Sequence, residues 1–421
     1  VNSFNTTIKN NTATTGGGVF ATGDATIRLD GTSIANNTAS STGGAGAIVT
    51  AALIVSMSTL THNSAQQSGG ALSLYEGSIV LNNSILDSNT ASEFGGAVDL
   101  NGGYLEVNGG RFLDNAARFG GALFGRPRRQ DIEPRARFEG VEVRGNGCRS
   151  AMSNSSRSDF GGAFYLEGAV RLELSGGSTV GENCATLGGA VYERDGASLS
   201  VTDGSRLVGN RAVAGGGILA LGASSVMLES GCEISANTAI DDPGVSLDAC
   251  DDIQRGAGAG VYVKESTLVT AASFVSNDAQ TDGGAIFAVG QSDLTVQPQS
   301  DLRSNTAGIS GGAIRVVSGT LQIDRATMRL NTAGHQGGAI ACAGTASVGL
   351  TNTSLSSNSA PLGGALNVGG DGLTGGCSML ADSLNCISNT ASGLDLLLPV
   401  GGGCAFIATG SSLECNSSSM H

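Results

Sequence analysis

The sequence predicts an all-β fold: a single-stranded right-handed parallel β-helix running over residues 1–421, with three strands per coil and about 14 coils. Three observations carry that expectation. An asparagine recurs at Asn11, Asn37, Asn63, Asn89 and Asn115 with a strict period of 26 residues, then less regularly at Asn146, Asn183, Asn210, Asn237, Asn277, Asn305, Asn331, Asn358 and Asn389. A fixed period in the range of about 20–50 residues marks a solenoid or propeller. Each period holds three short runs in which apolar and polar residues alternate, the strand period of two and not the helical 3.6. The composition suits a chain made of corners and short strands, with 67 glycines, 14% charged residues and no tryptophan, where ordinary domains carry about 25% charged residues.

In the coil after Asn305 the first run is Ile314 and Val316 around Arg315, the second is Leu321 and Ile323 around Gln322, and the third leads through Met328 to Asn331. An aliphatic residue or Phe stands three before most of the asparagines, as at Leu60, Leu86, Phe112 and Phe274. A small residue follows the asparagine, and then come a glycine pair, Ala and an aliphatic residue, as in Gly69, Gly70, Ala71 and Leu72. Corners too short for a helix return the chain to the same strand, so like strands stack in parallel about 4.8 Å apart, and crossovers between parallel strands are right-handed. The glycine pair supplies positive φ at one corner; asparagine is expected to share that left-handed geometry while its amide bonds the next coil. Length alone suggests two or three domains, but a solenoid has a one-dimensional core, so one continuous domain is expected.

Three insertions break the period. Residues 125–137 carry Arg126, Arg128, Arg129, Arg135 and Arg137; residues 147–159 follow Asn146; residues 240–256, rich in aspartate, follow Asn237. Loops on a rigid scaffold are where function usually sits. A net charge of -14, with Lys9 and Lys264 the only lysines, argues against a nucleic-acid partner. No run reaches the roughly 18 apolar residues of a membrane span, so no transmembrane segment is expected. Val1 is not an initiator Met, which points to a segment upstream of it.

The nine cysteines suggest an oxidising compartment. Cys148 and Cys184 lie just after their asparagines on adjacent coils and are expected to bond; Cys232 and Cys250 bracket the acidic insertion and form a second expected pair. Cys342, at an inward strand position, reads as a buried thiol, and the end at 377–421 is cysteine-rich. With no CxxC and only His62, His335 and His421, neither a metal nor another cofactor is expected. N-x-Ser/Thr triplets, acceptors for glycans in an exported chain, stand at Asn5, Asn10, Asn36, Asn82, Asn154, Asn352 and Asn416.

One position after each glycine-Ala-aliphatic step, the middle coils carry Phe124, Tyr165, Tyr192, Tyr262 and Phe287. Alternation places this column on the outside of the first strand, where it is expected to form an exposed aromatic binding stripe flanked by Arg126, Arg128 and Arg129. Enzyme motifs are weak. Gly308 to Gly312 fits GxSxG but lies on an ordinary repeat corner. The polar exceptions in the aromatic column, Asp99 and Arg315, are many coils apart, so the carboxylate pair of a glycosidase is not placed.

The combination of GGA followed by Leu, Val or Ile at Gly69, Gly95, Gly120, Gly188, Gly283, Gly311, Gly337 and Gly363 with FxxN at Phe112–Asn115 and Phe274–Asn277 resembles the chlamydial polymorphic membrane protein repeat. The resemblance implies a pectin-lyase-like β-helix that acts in adhesion at a cell surface. The chain is accordingly expected to be a secreted or cell-surface, non-catalytic adhesin or binding scaffold whose partner is a surface protein or glycan. A filament or coat subunit associating end to end, and a polysaccharide lyase or hydrolase, are the alternatives.

Overall fold

The computed structural model describes residues 1–128, 133–148, 159–245, 247, 252–369, 376–392, 403–408, 411–416 and 419–420. The chain is the expected all-β parallel solenoid, and it divides into two compact units. The first comprises Val1–Arg211 with Gly244–Asp251, the second Ala212–Pro243 with Asp252–His421.

In the N-terminal unit each coil lays three strands onto those of its neighbour in parallel register. First strands pair as Val98–Asn101 with Leu123–Arg126, and Phe164–Glu167 with Val191–Arg194. Second strands pair as Arg135–Glu139 with Arg171–Ser175, third strands as Glu142–Arg144 with Thr179–Gly181. The C-terminal unit repeats the plan: Ile286–Val289, Ser292–Val296 and Asp301–Arg303 stack on Ile314–Val316, Gly319–Asp324 and Thr327–Arg329. Both units also have a fourth ladder just after the asparagines, wider at Thr12–Thr15 with Thr38–Thr42 and two residues wide as at Ser64–Ala65 with Thr90–Ala91 and Thr306–Ala307 with Thr332–Ala333. Where it is two residues wide, that ladder is too short to show as alternation in the sequence.

The core follows from parity. Leu105 and Val107 stack on Ala136 and Phe138, and these on Leu172 and Leu174, all buried. One inward position breaks the rule: Glu193 stands beside Leu166 in the ladder and is fully buried, with neither carboxylate oxygen hydrogen-bonded. Burial raises its pKa well above the ordinary value.

The asparagines form the expected column, eight from Asn11 to Asn210 in the first unit and six from Asn237 to Asn389 in the second. Asn63 shows the pattern: its Nδ2 donates to Asn89 Oδ1 at 3.0 Å and to the Ile34 carbonyl at 3.0 Å, and its backbone N–H also donates to Asn89 Oδ1. A fully buried amide is thereby satisfied. The left-handed conformation, however, falls on the preceding residue and not on the asparagine: Asn36, His62, Ser88 and Asp114 all have φ near +50°. The asparagine stays out of that region because its amide serves the ladder. At the glycine pair the need is steric, since a Cβ on Gly95 would collide with the Val98 carbonyl of its own coil and one on Gly96 with Gly121 of the next.

The arginine insertion is shorter than expected. Arg126 ends a first strand and Arg135 and Arg137 belong to a second that begins at Arg135; Arg129 lies outside the described residues. Cys148 and Cys184 are bonded, as expected. Cys342 is buried but disulfide-bonded to Cys377, not a thiol, because the coil that follows brings Cys377 beneath it; Cys386 bonds Cys404. Cys232 is buried, and its expected partner Cys250 lies outside the described residues. Three disulfides fit an oxidising compartment. Among the described residues no helix is long and apolar enough to cross a membrane.

Candidate functional site

The aromatic column is not an exposed stripe. Phe124, Tyr165 and Tyr192 stack in register in the first unit, with ring centroids 5.2 and 4.9 Å apart, and all three are buried. The cover comes from the residue before each glycine pair. Phe94, Phe119 and Phe160 form a second parallel column at the corner and lean over the first, with Phe94 to Phe124 at 4.5 Å, Phe119 to Tyr165 at 5.3 Å and Phe160 to Tyr192 at 5.3 Å. The first-strand face is therefore concave, with the outward residues as its floor and the corner residues as its wall. In the second unit Tyr262 and Phe287, 4.9 Å apart, are also buried. There the returning acidic insertion is part of the cover, for the Gln254 backbone N–H donates to the Tyr262 hydroxyl at 3.2 Å, and burial pushes that phenol up to about 12.

Where the floor residues are small, the concavity is open. In the first unit the floor runs Ala47, Ser73, Asp99; the wall runs Thr42, Ser68, Phe94; the opposite side runs Val49, Tyr75, Asn101, Arg126. These rows enclose a cleft of about 960 Å³, to which Gln67, Glu93, Pro127 and Arg128 also contribute. A volume of roughly 300–1,000 Å³ is that of a ligand pocket. The ring of Phe124 occupies the next floor position after Asp99 and limits the cleft there. The sequence signal was the interruption of the aromatic column by Ala47, Ser73 and Asp99, which alternation alone does not mark as a cavity.

Asp99 sits on this floor, 1% exposed. Asn101 Nδ2 donates to its Oδ2 at 2.6 Å, and Arg126 Nε donates to Asn101 Oδ1. Oδ1 of Asp99 accepts no hydrogen bond. Burial lifts its pKa to about 7, against the opposing pull of the Arg126 guanidinium and of the nearby Asn101, Ser73 and Ser68 side chains. Arg126 also lies over Phe94 and Phe124, at 5.0 and 5.3 Å from the ring centres. Arg128 covers Tyr75 at 3.6 Å and pairs with Glu76 at 3.4 Å; Arg118 lies 3.9 Å from Glu93. Of the expected binding residues, then, Arg126 and Arg128 line the cleft, Phe124 bounds it, and Tyr165, Tyr192, Tyr262 and Phe287 are core.

The floor of the second unit turns polar at Arg315 and, two rungs on, at Asn367, both buried. Asp282 on the corner beside Arg315 accepts from Gln254 Nε2, and burial raises its pKa against the pull of Arg315. Ser310, the serine of the GxSxG match, is buried on the same corner column. Among the described residues no group of three or more His, Cys, Asp or Glu side chains is placed to hold a metal ion. Of the glycan acceptors, Asn5, Asn10, Asn36 and Asn352 are exposed, each with a left-handed backbone. Asn82 is half-buried in a strand and tied to Ser56 and Asn108. Asn154 and the side chain of Asn416 lie outside the described residues. Compared with known proteins, the chain matches no family model, no curated protein sequence and no solved structure.

Proposed function

We propose that this is a non-catalytic adhesin or surface-binding scaffold, extracellular or at a cell surface, which takes a glycan chain into the cleft of its N-terminal unit. The observation that supports the reading most is the cleft itself: about 960 Å³ bounded by two rows of side chains on hydrogen-bonded strands and a third on the corner. Side chains fixed on a ladder lose little further freedom on binding. Disulfides and exposed glycan acceptors support export. The test uses the repeat's own chemistry. Two and three rungs on, the floor position holds Phe124 and Tyr165, so Ser73→Phe should fold while filling the cleft. On a printed glycan array the natural chain should bind a defined subset, and Ser73→Phe should lose that binding at an unchanged melting temperature. Array binding that survives Ser73→Phe would show that the cleft is not the site.

A polysaccharide-cleaving enzyme is the second reading, supported by the raised pKa of Asp99 in the cleft. It requires a second reacting group, and among the described residues the other carboxylate lining the cleft, Glu93, is beside Arg118 on the wall. Release of reducing ends from the bound glycan, abolished by Asp99→Asn, would favour this reading.

A further inference from the structure

We infer that Arg126 is the specificity-determining residue of the cleft, and that it selects a glycan carrying carboxylate groups over an uncharged one. The inference rests on the binding reading above and narrows its ligand. Its basis is a guanidinium held in place at one edge and open at the other.

Arg126 ends the strand Leu123–Arg126, in register with Asn101 on the preceding rung, and its backbone carbonyl accepts from the Gly102 N–H at 3.2 Å. The side chain is held as well. Its Nε donates to Asn101 Oδ1, Asn101 Nδ2 donates in turn to the buried Asp99, and the guanidinium lies 5.0 and 5.3 Å from the centres of the Phe94 and Phe124 rings. A cation within about 6 Å of a ring centre is attracted to its face. Nη1 and Nη2 are left over: neither forms a hydrogen bond among the described residues, neither is closed off from solvent, and the side chain lines the cleft.

The other charges around the cleft are balanced. Glu93 on the wall is 3.9 Å from Arg118, and Arg128 pairs with Glu76 at 3.4 Å while covering Tyr75. Arg126 forms no ion pair among the described residues; Asp99, 1% exposed, is linked to it through the Asn101 amide and does not itself meet a ligand. A planar guanidinium offering two nitrogens side by side matches the two oxygens of a carboxylate. A neutral hydroxyl engages one of those donors and brings no opposite charge. The net charge of -14 repels an anion at a distance, but at physiological salt that field is screened within about 8 Å, whereas a direct contact at Arg126 is not.

Three variants separate this contact from a general effect of charge. Arg126→Asn copies Asn101, the residue at the same position of the preceding rung, and should fold. Arg126→Lys keeps a cation beside the rings and removes the fork. Arg144→Asn takes the same formal charge from a third strand of the same unit, where Arg144 is exposed and paired with Glu182 at 2.6 Å, away from the cleft.

The experiment is isothermal titration of the full chain, at neutral pH and about 0.15 M salt, with the hexasaccharides hexaglucuronate and hexamannuronate and the methyl ester of each. Acid and ester share a backbone and differ in charge. The expected result is that at least one acid binds about tenfold or more tightly than its ester. Arg126→Asn should abolish that difference at an unchanged melting temperature, Arg126→Lys should keep only part of it, and Arg144→Asn should leave it intact. An ester that binds as tightly as its acid, a difference that survives Arg126→Asn, or one that Arg144→Asn removes as fully overturns the inference. If Arg126→Asn unfolds, Arg126→Lys decides, and an undiminished difference in that variant overturns the inference. Where it is overturned and Ser73→Phe still abolishes binding, the glycan-binding reading stands without it. If no probe binds, the inference falls and the glycan array alone decides the cleft reading.

Discussion

Glu193 occupies a core position that Leu166 fills in the preceding coil, and its two carboxylate oxygens have no hydrogen-bond partner. Leaving a polar group buried and unmet costs about 1–3 kcal/mol, so Glu193→Leu is expected to raise the unfolding free energy by about 2 kcal/mol at neutral pH. The sign of the pH effect follows from the raised pKa. In the unfolded chain the group titrates near 4.5, in the fold well above that, so the native state binds the extra proton between the two values. Stability is whole below about pH 4.5 and is lost as pH rises above it. Urea unfolding of the natural chain and the variant at pH 4 and pH 7.5 should show their difference growing with pH; a constant difference would mean that Glu193 is charged or solvated in the fold. At this scale the sequence was readable for the asparagines, whose period is strict, but not for the left-handed residues before them. That backbone position accepts Asn, His, Ser, Asp, Glu and Leu alike, as Asn36, His62, Ser88, Asp114, Glu182 and Leu330 show, so it leaves no residue signature.

The strand that follows each glycine pair shows why alternation was an incomplete guide to exposure. Parity correctly put Phe124, Tyr165 and Tyr192 on the side away from the interior, yet the corner residues Phe94, Phe119 and Phe160 fold across them and make a second small core outside the first. Whether an outward residue is exposed depends on the bend between corner and strand, which a period of two does not encode. Tyr165→Ser is therefore expected to destabilise by about 3–5 kcal/mol, as large-to-small aromatic changes in cores do, and to leave glycan affinity per folded molecule unchanged. Thermal melting together with titration at a temperature where the variant is folded would check both parts. The cleft arises from the same geometry with the rings replaced by Ala47, Ser73 and Asp99. Its existence was hidden in the sequence because a gap in a buried column shows only after the column is known to be buried.

Across the whole chain, the number of turns was legible from the asparagines and one disulfide from its neighbours, since Cys148 and Cys184 follow consecutive rungs. The pairing of Cys342 with Cys377 was not, because an inward cysteine reads the same as a thiol and as half of a bridge. Their 35-residue separation implies about 4 kcal/mol of stabilisation through the closed loop. Replacing both by Ala should lower the unfolding free energy of the C-terminal unit by an amount of that order, read by denaturant titration under oxidising conditions, with an unaltered midpoint counting against it. The asparagine ladder has a consequence of another kind. Partners in it are 26, 31 and 37 residues apart in the first unit and 40, 28 and 27 in the second, yet the amide-to-amide distance is 3.0 Å each time. The rung is fixed while the length of chain between rungs is not. A gene encoding such a protein tolerates duplication or loss of one complete period, because the join presents an asparagine to an asparagine, whereas a break out of step leaves buried amides unmatched. Inheritance thus acts on this chain in units of a turn, and novelty enters at the corners, where added residues do not disturb the count.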